Sequence, residues 1–279
     1  MTERNVCLGG HAVQIQSEDQ AVDTILSFMF DDIADQTFEH IEARFTLRPI
    51  DGDDQRWEVL KDDTQLFEKA SLTDTANFLM GEVVYHLIEN NRDYMAIHAA
   101  LLSNENSGIL LPGESGNGKS SLAIWMTMNG YHYHTDELVL IKSGSLETRV
   151  FTRPFNIKAH GLDAISQLMD IPSLQPPASQ GDFITMIPHR ALNPDFIKKS
   201  PPISRILFPK YDKDGENSLS SLSGAAAGIE LMKTHVIARN LPGHGFGQLL
   251  EIVRSVPAYK LNYNHFDALP ELLKGLNKP

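Results

Sequence analysis

The chain has 279 residues, 42% of them hydrophobic, and a formal net charge of −12 near neutral pH. This composition predicts a globular chain with a sizeable core. The acidic balance argues against nucleic acid as a partner, because backbone phosphates are bound by clustered Lys and Arg. The single cysteine, Cys7, excludes an internal disulfide framework. Since no signal segment opens the chain and no apolar stretch approaches the roughly 20 residues that span a bilayer, we expect a cytoplasmic location and no membrane partner.

The first 93 residues predict a small α/β accessory region. Short apolar strands near Val6 and Val13 precede a predicted helix over 21–30, and three further short strands follow. Ser71 then has the position of an N-cap for a helix that runs to about residue 89. From residue 94 the pattern changes to β-rich segments, so we expect two parts, 1–93 and 94–279.

The second part predicts alternating strands and helices. Strands are expected at 95–102, 108–111, 138–141, 205–208 and 258–263, and helices at 221–232, 246–256 and 266–276. Residues 218–223 form a serine cluster that reads as the entrance to the first of these helices. Residues 171–202 hold seven prolines and little periodicity, which predicts a long irregular excursion.

A phosphate-binding loop stands at the start of this second part. Residues 113–121 read GESGNGKSS, which is a complete G-x-x-x-x-G-K-S motif between an apolar strand and a helical pattern that runs to about Met128. The glycines let successive N–H groups point toward phosphates, and the helix adds its positive N-terminal end. The predicted nucleotide-binding residues are Gly113, Glu114, Ser115, Gly116, Asn117, Gly118, Lys119, Ser120 and Ser121. Lys119 would reach the β- and γ-phosphates, and the Ser120 hydroxyl would ligate Mg²⁺.

Further landmarks flank this loop at regular spacing. His98 stands on the strand before it, Gly130 follows its helix, and the acidic pair Asp136-Glu137 comes next. With these residues the chain resembles the HPr kinase/phosphorylase family, and especially the HPr kinase-related proteins, over about residues 94–143. The resemblance implies an α/β fold with a P-loop core of the HPr kinase and phosphoenolpyruvate carboxykinase type. It also implies transfer of the γ-phosphoryl group of ATP to a hydroxyl, with Mg²⁺.

The acidic pair is the predicted catalytic centre. A hydroxyl nucleophile must lose its proton as it attacks phosphorus, so a carboxylate within reach contributes about 10²–10⁴-fold to the rate. We expect Asp136 to be this base and Glu137 to bind Mg²⁺ with Ser120, directly or through water. The alternative is that both are turn residues opening the next strand.

Two other residues belong to the predicted catalytic set. His98 could hold Asp136 or the nucleotide phosphates by a hydrogen bond, or it could be a satisfied core histidine. Arg239, in the segment Ala238-Arg239-Asn240, loosely matches a late Arg-Asn element of the resembled family. The resemblance therefore implies that Arg239 contributes to the same site.

These features predict a phosphotransferase that acts on a Ser or Thr hydroxyl of a protein or peptide. HPr kinase-related proteins are also associated with the tailoring of ribosomal peptide natural products, so a precursor such as a lasso peptide is an implied acceptor. Two alternatives stay open: a kinase of a small-molecule hydroxyl such as that of a free amino acid, and an ATP-binding regulatory module without transfer. A homo-oligomer is compatible with the sequence.

Overall fold

We describe the protein from a computed structural model that covers residues 2–277 apart from 34–39, 51, 70, 105–106 and 115, with the backbone alone at 53–55, 160 and 277. The described residues form two compact units. One joins residues up to 91 with residues 151–194, and the other joins residues 92–150 with those from 195 onward. The division into 1–93 and 94–279 stays a prediction, and the sequence patterns do not predict that 151–194 groups with the amino-terminal residues.

The amino-terminal segment follows its sequence pattern closely. Asp19 accepts hydrogen bonds from the N–H groups of Ala21 and Val22 at the start of the first helix, and Ser71 accepts from the N–H of Asp74 at the start of the second. The elements are β1 (Thr2–Leu8), β2 (His11–Ser17), α1 (Gln20–Phe30), β3 (Ala43–Ile50), β4 (Asp53–Lys61), β5 (Thr64–Lys69) and α2 (Leu72–Ile88).

The middle of the chain carries the predicted phosphate loop between a strand and a helix. Its elements are β6 (Tyr94–Asn104), β7 (Ser107–Pro112), α3 (Lys119–Met128), β8 (His132–Thr135), β9 (Leu138–Lys142), β10 (Thr148–Phe151), β11 (Phe155–Lys158), α4 (Ala159–Ser166), β12 (Ser179–Gln180) and β13 (Ile184–Ile187). The helix after the loop ends at Met128, as the helical pattern of its own sequence predicts.

The carboxyl-terminal segment completes the fold. Its elements are β14 (Ile203–Tyr211), β15 (Ser218–Leu222), α5 (Gly224–Lys233), β16 (His235–Val236), α6 (Phe246–Ser255), β17 (Ala258–Tyr263) and α7 (Leu269–Lys274), with a one-turn helix at Ala238–Asn240. The predicted α/β class is confirmed. In the described part of the chain, no helix is both long and apolar enough to cross a membrane.

The first unit contains two sheets. Strands β1 to β5 form one sheet in sequential order, in which β2 and β3 are parallel and the other neighbours antiparallel. The second sheet, β11-β13-β12, gives part of the excursion at 171–202 a regular structure that was not predicted. The buried carboxylate of Asp74 accepts the N–H groups of Asp182 at 2.7 Å and Phe183 at 3.3 Å. The segment before β13 is therefore held by a long-range contact that its own sequence does not reveal.

The second unit is built on one large sheet with the order β10-β9-β6-β7-β14-β17-β15, to which β8 and β16 add beside β6. Strands β7, β14 and β17 are mutually parallel, and β6 runs antiparallel to β7. Alternate residues of β6 enter a core that is shared with α5 and α6: Met95, Ile97, Ala99 and Leu101. Helix α3 contacts β6 and β14. The sheet thus fixes which strand ends lie beside the phosphate loop.

The serine cluster at 218–223 was wrongly predicted as a helix entrance. Residues Ser218–Leu222 form β15, which pairs antiparallel with β17 at one edge of the sheet. The helix begins later, because Ser223 is its N-cap and accepts the N–H of Ala226. Cross-strand pairing therefore overrides the local capping signal of the earlier serines.

Candidate functional site

The phosphate loop joins the end of β7 to the start of α3. The N–H of Asn117 donates to the carbonyl of Glu114 at 3.3 Å, and the N–H of Leu122 donates to the carbonyl of Gly118 at 2.9 Å. Gly116 and Gly118 have φ of +96° and +81°, values that L side chains rarely adopt. Ser115 lies outside the described residues. The loop therefore leads directly into the first turn of α3, and the N–H groups of a first helical turn are the usual donors to a bound anion.

Two tyrosines hold the end of this loop. The Tyr263 hydroxyl donates to the carbonyl of Gly118 at 2.9 Å, and the N–H of Tyr211 donates to the carbonyl of Asn117 at 3.1 Å. The two rings meet at an angle of 60° with centroids 5.4 Å apart. Burial, with Tyr211 nearby, raises the pKa of Tyr263 well above its usual range, so this hydroxyl stays a neutral donor. Sequence reasoning missed both residues.

Lys119 connects the loop with the acidic pair. Its ammonium group donates to the backbone carbonyl of Asp136, and the side chain is only 6% exposed. Asp136 itself is fully buried, and the Tyr133 hydroxyl donates to its Oδ1 at 3.3 Å. The structure thus brings the loop lysine and the predicted base together in one buried cluster.

Glu137, the second acid of the pair, lies beside His98. The two atoms His98 Nδ1 and Glu137 Oε1 are 3.6 Å apart, and both side chains are partly exposed. The N–H of Glu137 donates to the Thr135 hydroxyl at 3.1 Å, which fixes the turn between β8 and β9. His98, which was expected to hold Asp136 or the phosphates, is therefore placed beside the second acid of the pair.

The segment around β16 approaches the same strand. The N–H of His98 donates to the carbonyl of Thr234 at 2.8 Å, and from there β16 pairs with β6 in the direction of Ala96. Arg239 is exposed on the one-turn helix that follows. Since the pairing runs away from His98, the structure supplies no direct link between Arg239 and the acidic pair in the described contacts, and its role stays a prediction.

Lys233 is a further cation at this site that sequence reasoning missed. It precedes Thr234 and forms an ion pair with Glu230 at 2.8 Å. The hydrogen bond that Lys233 donates to Glu230 raises the pKa of Lys233, and the charge of Glu114 in the phosphate loop adds to this effect. The end of α5 is therefore close enough to the loop for their charges to interact.

The predicted Mg²⁺ ligands are a hydroxyl, Ser120, and a carboxylate, Glu137. Among the residues that the structure describes, no group of three His, Cys, Asp or Glu could hold a metal. Mg²⁺ usually takes one or two protein oxygens and completes its shell with waters and substrate phosphates. By their chemistry a hydroxyl and a carboxylate are oxygen donors of the kind that such a shared ion takes, and two of them do not make an all-protein metal centre.

His134 is buried on β8, two residues before Asp136. Its Nε2 is 2.9 Å from the Ser103 hydroxyl, and burial, assisted by the charge of His132, lowers its pKa to about 4. The ring is therefore neutral near pH 7. Protonation would place a charge in the interior, which the folded state resists.

This environment makes stability depend on pH. The folded-state pKa of about 4 lies below the ordinary 6.5, so the unfolded chain binds more protons between these values. As the pH is lowered through that window, we expect the free energy of unfolding to fall by about 1.4 kcal/mol for each pH unit, and by about 3 kcal/mol in all. Urea denaturation of the parent and His134→Gln at several pH values measures the difference, with the exposed His244→Gln as control. Equal pH slopes for the parent and His134→Gln would contradict this assignment.

The loop glycines allow a matched test of packing. A Cβ on Gly118 would collide with the Tyr263 hydroxyl and lie 2.8 Å from Tyr211 Cβ, whereas a Cβ on Gly116 meets nothing within 4 Å. Both positions have positive φ, so the two alanine variants share the backbone cost. We expect Gly118→Ala to lose about 1–3 kcal/mol more stability than Gly116→Ala in thermal or urea unfolding. Equal losses would show that the tyrosines do not pack against the loop as described.

Comparison with known proteins finds a sequence relative that matches part of the chain. A segment of 80 residues, 29% of this chain, is 38% identical to the HPr kinase/phosphorylase of Lachnoclostridium phytofermentans. The structure of the Hpr(Ser) kinase/phosphatase from Coxiella burnetii aligns with 65% of this chain and 92% of that chain, at 12% identity and a TM-score of 0.33. No family model matches. The predicted resemblance to HPr kinases is confirmed over the 80-residue segment that matches the Lachnoclostridium protein. That segment spans 26% of the relative's length.

Proposed function

We propose that the chain is an ATP- and Mg²⁺-dependent kinase that transfers a γ-phosphoryl group to a Ser or Thr hydroxyl of a protein or peptide. The observation that carries this proposal is the contact between the Lys119 ammonium and the carbonyl of Asp136. It joins the residue expected at the β- and γ-phosphates to the residue expected to take the proton.

The chain's own residues supply the parts of an in-line transfer. The loop N–H groups hold the phosphates, and Lys119 turns from Asp136 to the β- and γ-phosphate oxygens. The acceptor oxygen attacks the γ-phosphorus and its proton passes to the Asp136 carboxylate. The bond between that phosphorus and the bridging oxygen breaks, and ADP leaves with the bond electrons.

The burial of Asp136 constrains this mechanism. Its side chain is fully buried and bonded to Tyr133, so an acceptor reaches the carboxylate only after the residues around it rearrange. Catalytic contacts are often incomplete without substrate and tighten in the reactive complex. Glu137, whose side chain is 27% exposed, is the alternative base.

Ser120 and Glu137 are the proposed holders of Mg²⁺, and His98 is proposed to orient Glu137 across the 3.6 Å gap. When bound, the ion neutralises charge on the β- and γ-phosphate oxygens. Ser120 is half-buried in the first turn of α3, where its hydroxyl follows directly on Lys119. The two protein oxygens therefore come from the loop and from the turn after β8.

The proposed phosphoryl acceptor is a hydroxyl of a peptide. The similarity to a protein named HPr kinase/phosphorylase supports a protein or peptide acceptor. A ribosomal natural-product precursor such as a lasso peptide is the acceptor we propose to test first. Incubation with γ-labelled ATP and a peptide pool, a metabolite pool or neither separates a peptide kinase from a small-molecule kinase and from a module without transfer.

Lys119→Ala tests the nucleotide site. The variant loses the mobile cation of the loop, so we expect ATP with Mg²⁺ to raise its melting temperature little or not at all, while the parent is stabilised. Lys260→Ala, which removes an exposed lysine from β17, is the control. A shift in the Lys119 variant equal to that of the parent would mean that the loop does not hold the phosphates.

Asp136→Asn and Glu137→Gln separate the base from the metal ligand. We expect Asp136→Asn to bind ATP but to transfer phosphate about 100-fold more slowly or worse, at any Mg²⁺ concentration. Glu137→Gln should instead need more Mg²⁺ and recover at high concentration. Asp214→Asn, in an exposed turn, is the control. An Asp136→Asn rate equal to the parent's would show that Asp136 is not the base, and Glu137 would be the next candidate. If high Mg²⁺ restored Asp136→Asn and not Glu137→Gln, Asp136 would be the metal ligand and Glu137 the base.

A further inference from the structure

Three parallel strands end at the phosphate loop. β7 leads into it at Pro112, and β14 and β17 end at Tyr211 and Tyr263, which pair with each other in register. The carboxyl ends of parallel strands form the usual ligand-binding edge of an α/β sheet. Of these terminal side chains, Tyr263 is 1% exposed and Tyr211 is 42% exposed.

The sheet order gives a nucleotide on this loop a direction. The acidic pair and His98 belong to the β6, β8 and β9 side of β7, where the γ-phosphate is expected under the proposed function. β14 and β17 lie on the opposite side of β7. If the γ-phosphate lies beside the acidic pair and the phosphates run along this edge of the sheet, the base lies on the side of β14 and β17.

Tyr211 is fixed where that base would arrive. Its N–H is bonded to the carbonyl of Asn117, and a Cβ on Gly118 would lie only 2.8 Å from Tyr211 Cβ. The ring meets Tyr263 at 60° and is held in place by this edge contact, because Tyr263 is itself bonded to Gly118. A large aromatic ring is thus immobilised beside the loop while almost half of it remains exposed.

We propose that Tyr211 is the stacking platform for the nucleobase of the bound nucleoside triphosphate. The inference rests on the proposed function, since it requires phosphates on the loop. Every base has a flat π-face, so stacking on an aromatic ring binds bases with little discrimination. Tyr211 therefore contributes affinity for ATP and GTP alike, and Tyr263 acts as a positioning residue that orients the ring.

The test compares two ligands that share the phosphates but differ in the base. Binding of ATP and of inorganic tripolyphosphate, each with Mg²⁺, is measured by calorimetry for the full chain. We expect Tyr211→Ala to weaken ATP and GTP binding by about 5- to 150-fold, and to leave tripolyphosphate binding within about twofold of the parent. Tyr211→Phe keeps the ring and should bind ATP like the parent.

Tyr259→Ala is the matched control. Tyr259 lies on the same strand as Tyr263 but four residues earlier, roughly 13 Å from the loop edge at 3.3 Å per residue. We expect Tyr259→Ala to bind both ATP and tripolyphosphate as tightly as the parent does. ATP affinity in Tyr211→Ala equal to the parent's, or an equal loss for both ligands, would overturn the platform. Failure of the parent to bind either ligand would overturn the proposed function itself, and the platform with it.

Discussion

The local structure at Gly118 is the constraint on which the site depends. Its carbonyl accepts two hydrogen bonds, one from the N–H of Leu122 that starts α3 and one from the hydroxyl of Tyr263. Its φ of +81° turns the chain from loop to helix, and no side chain fits between it and the tyrosines. Because Lys119 is the next residue, the same turn aims the ammonium group at Asp136. One residue without a side chain therefore lies at the centre of these contacts. It precedes Lys119, begins α3 and packs against Tyr211 and Tyr263.

Local patterns were sufficient for much of the fold. The helix after the loop, β17 and the helix that Ser71 caps were predicted because their signals lie within one element. Pairing between distant segments was not predictable in this way. The strand β15 is an edge strand only because β17 is available beside it. Likewise, β13 and the turn before it depend on Asp74, more than a hundred residues upstream.

The same division applies to the site. The motif identifies Lys119, and spacing identifies the acidic pair, but spacing does not tell which acid faces the interior. In the structure Asp136 is fully buried while the neighbouring Glu137 is directed to His98. Tyr211 and Tyr263 had no signal of their own in the sequence. Their importance depends on strand order, which makes the ends of β14 and β17 neighbours of the loop.

The distance along the chain between the loop and its anchors has a consequence for folding. The bond from Tyr263 to Gly118 spans 145 residues, and β14 and β17 both follow the segment 151–194 that belongs to the other unit. Contacts of such long sequence separation carry a loop-closure entropy and tend to form slowly. During synthesis from the amino terminus, the loop sequence leaves the ribosome long before the strands that shape it. A ligand of the finished loop would therefore bind fully folded chains and not nascent or partly folded ones. Its binding would stabilise the folded state and so favour completion of the last folding step.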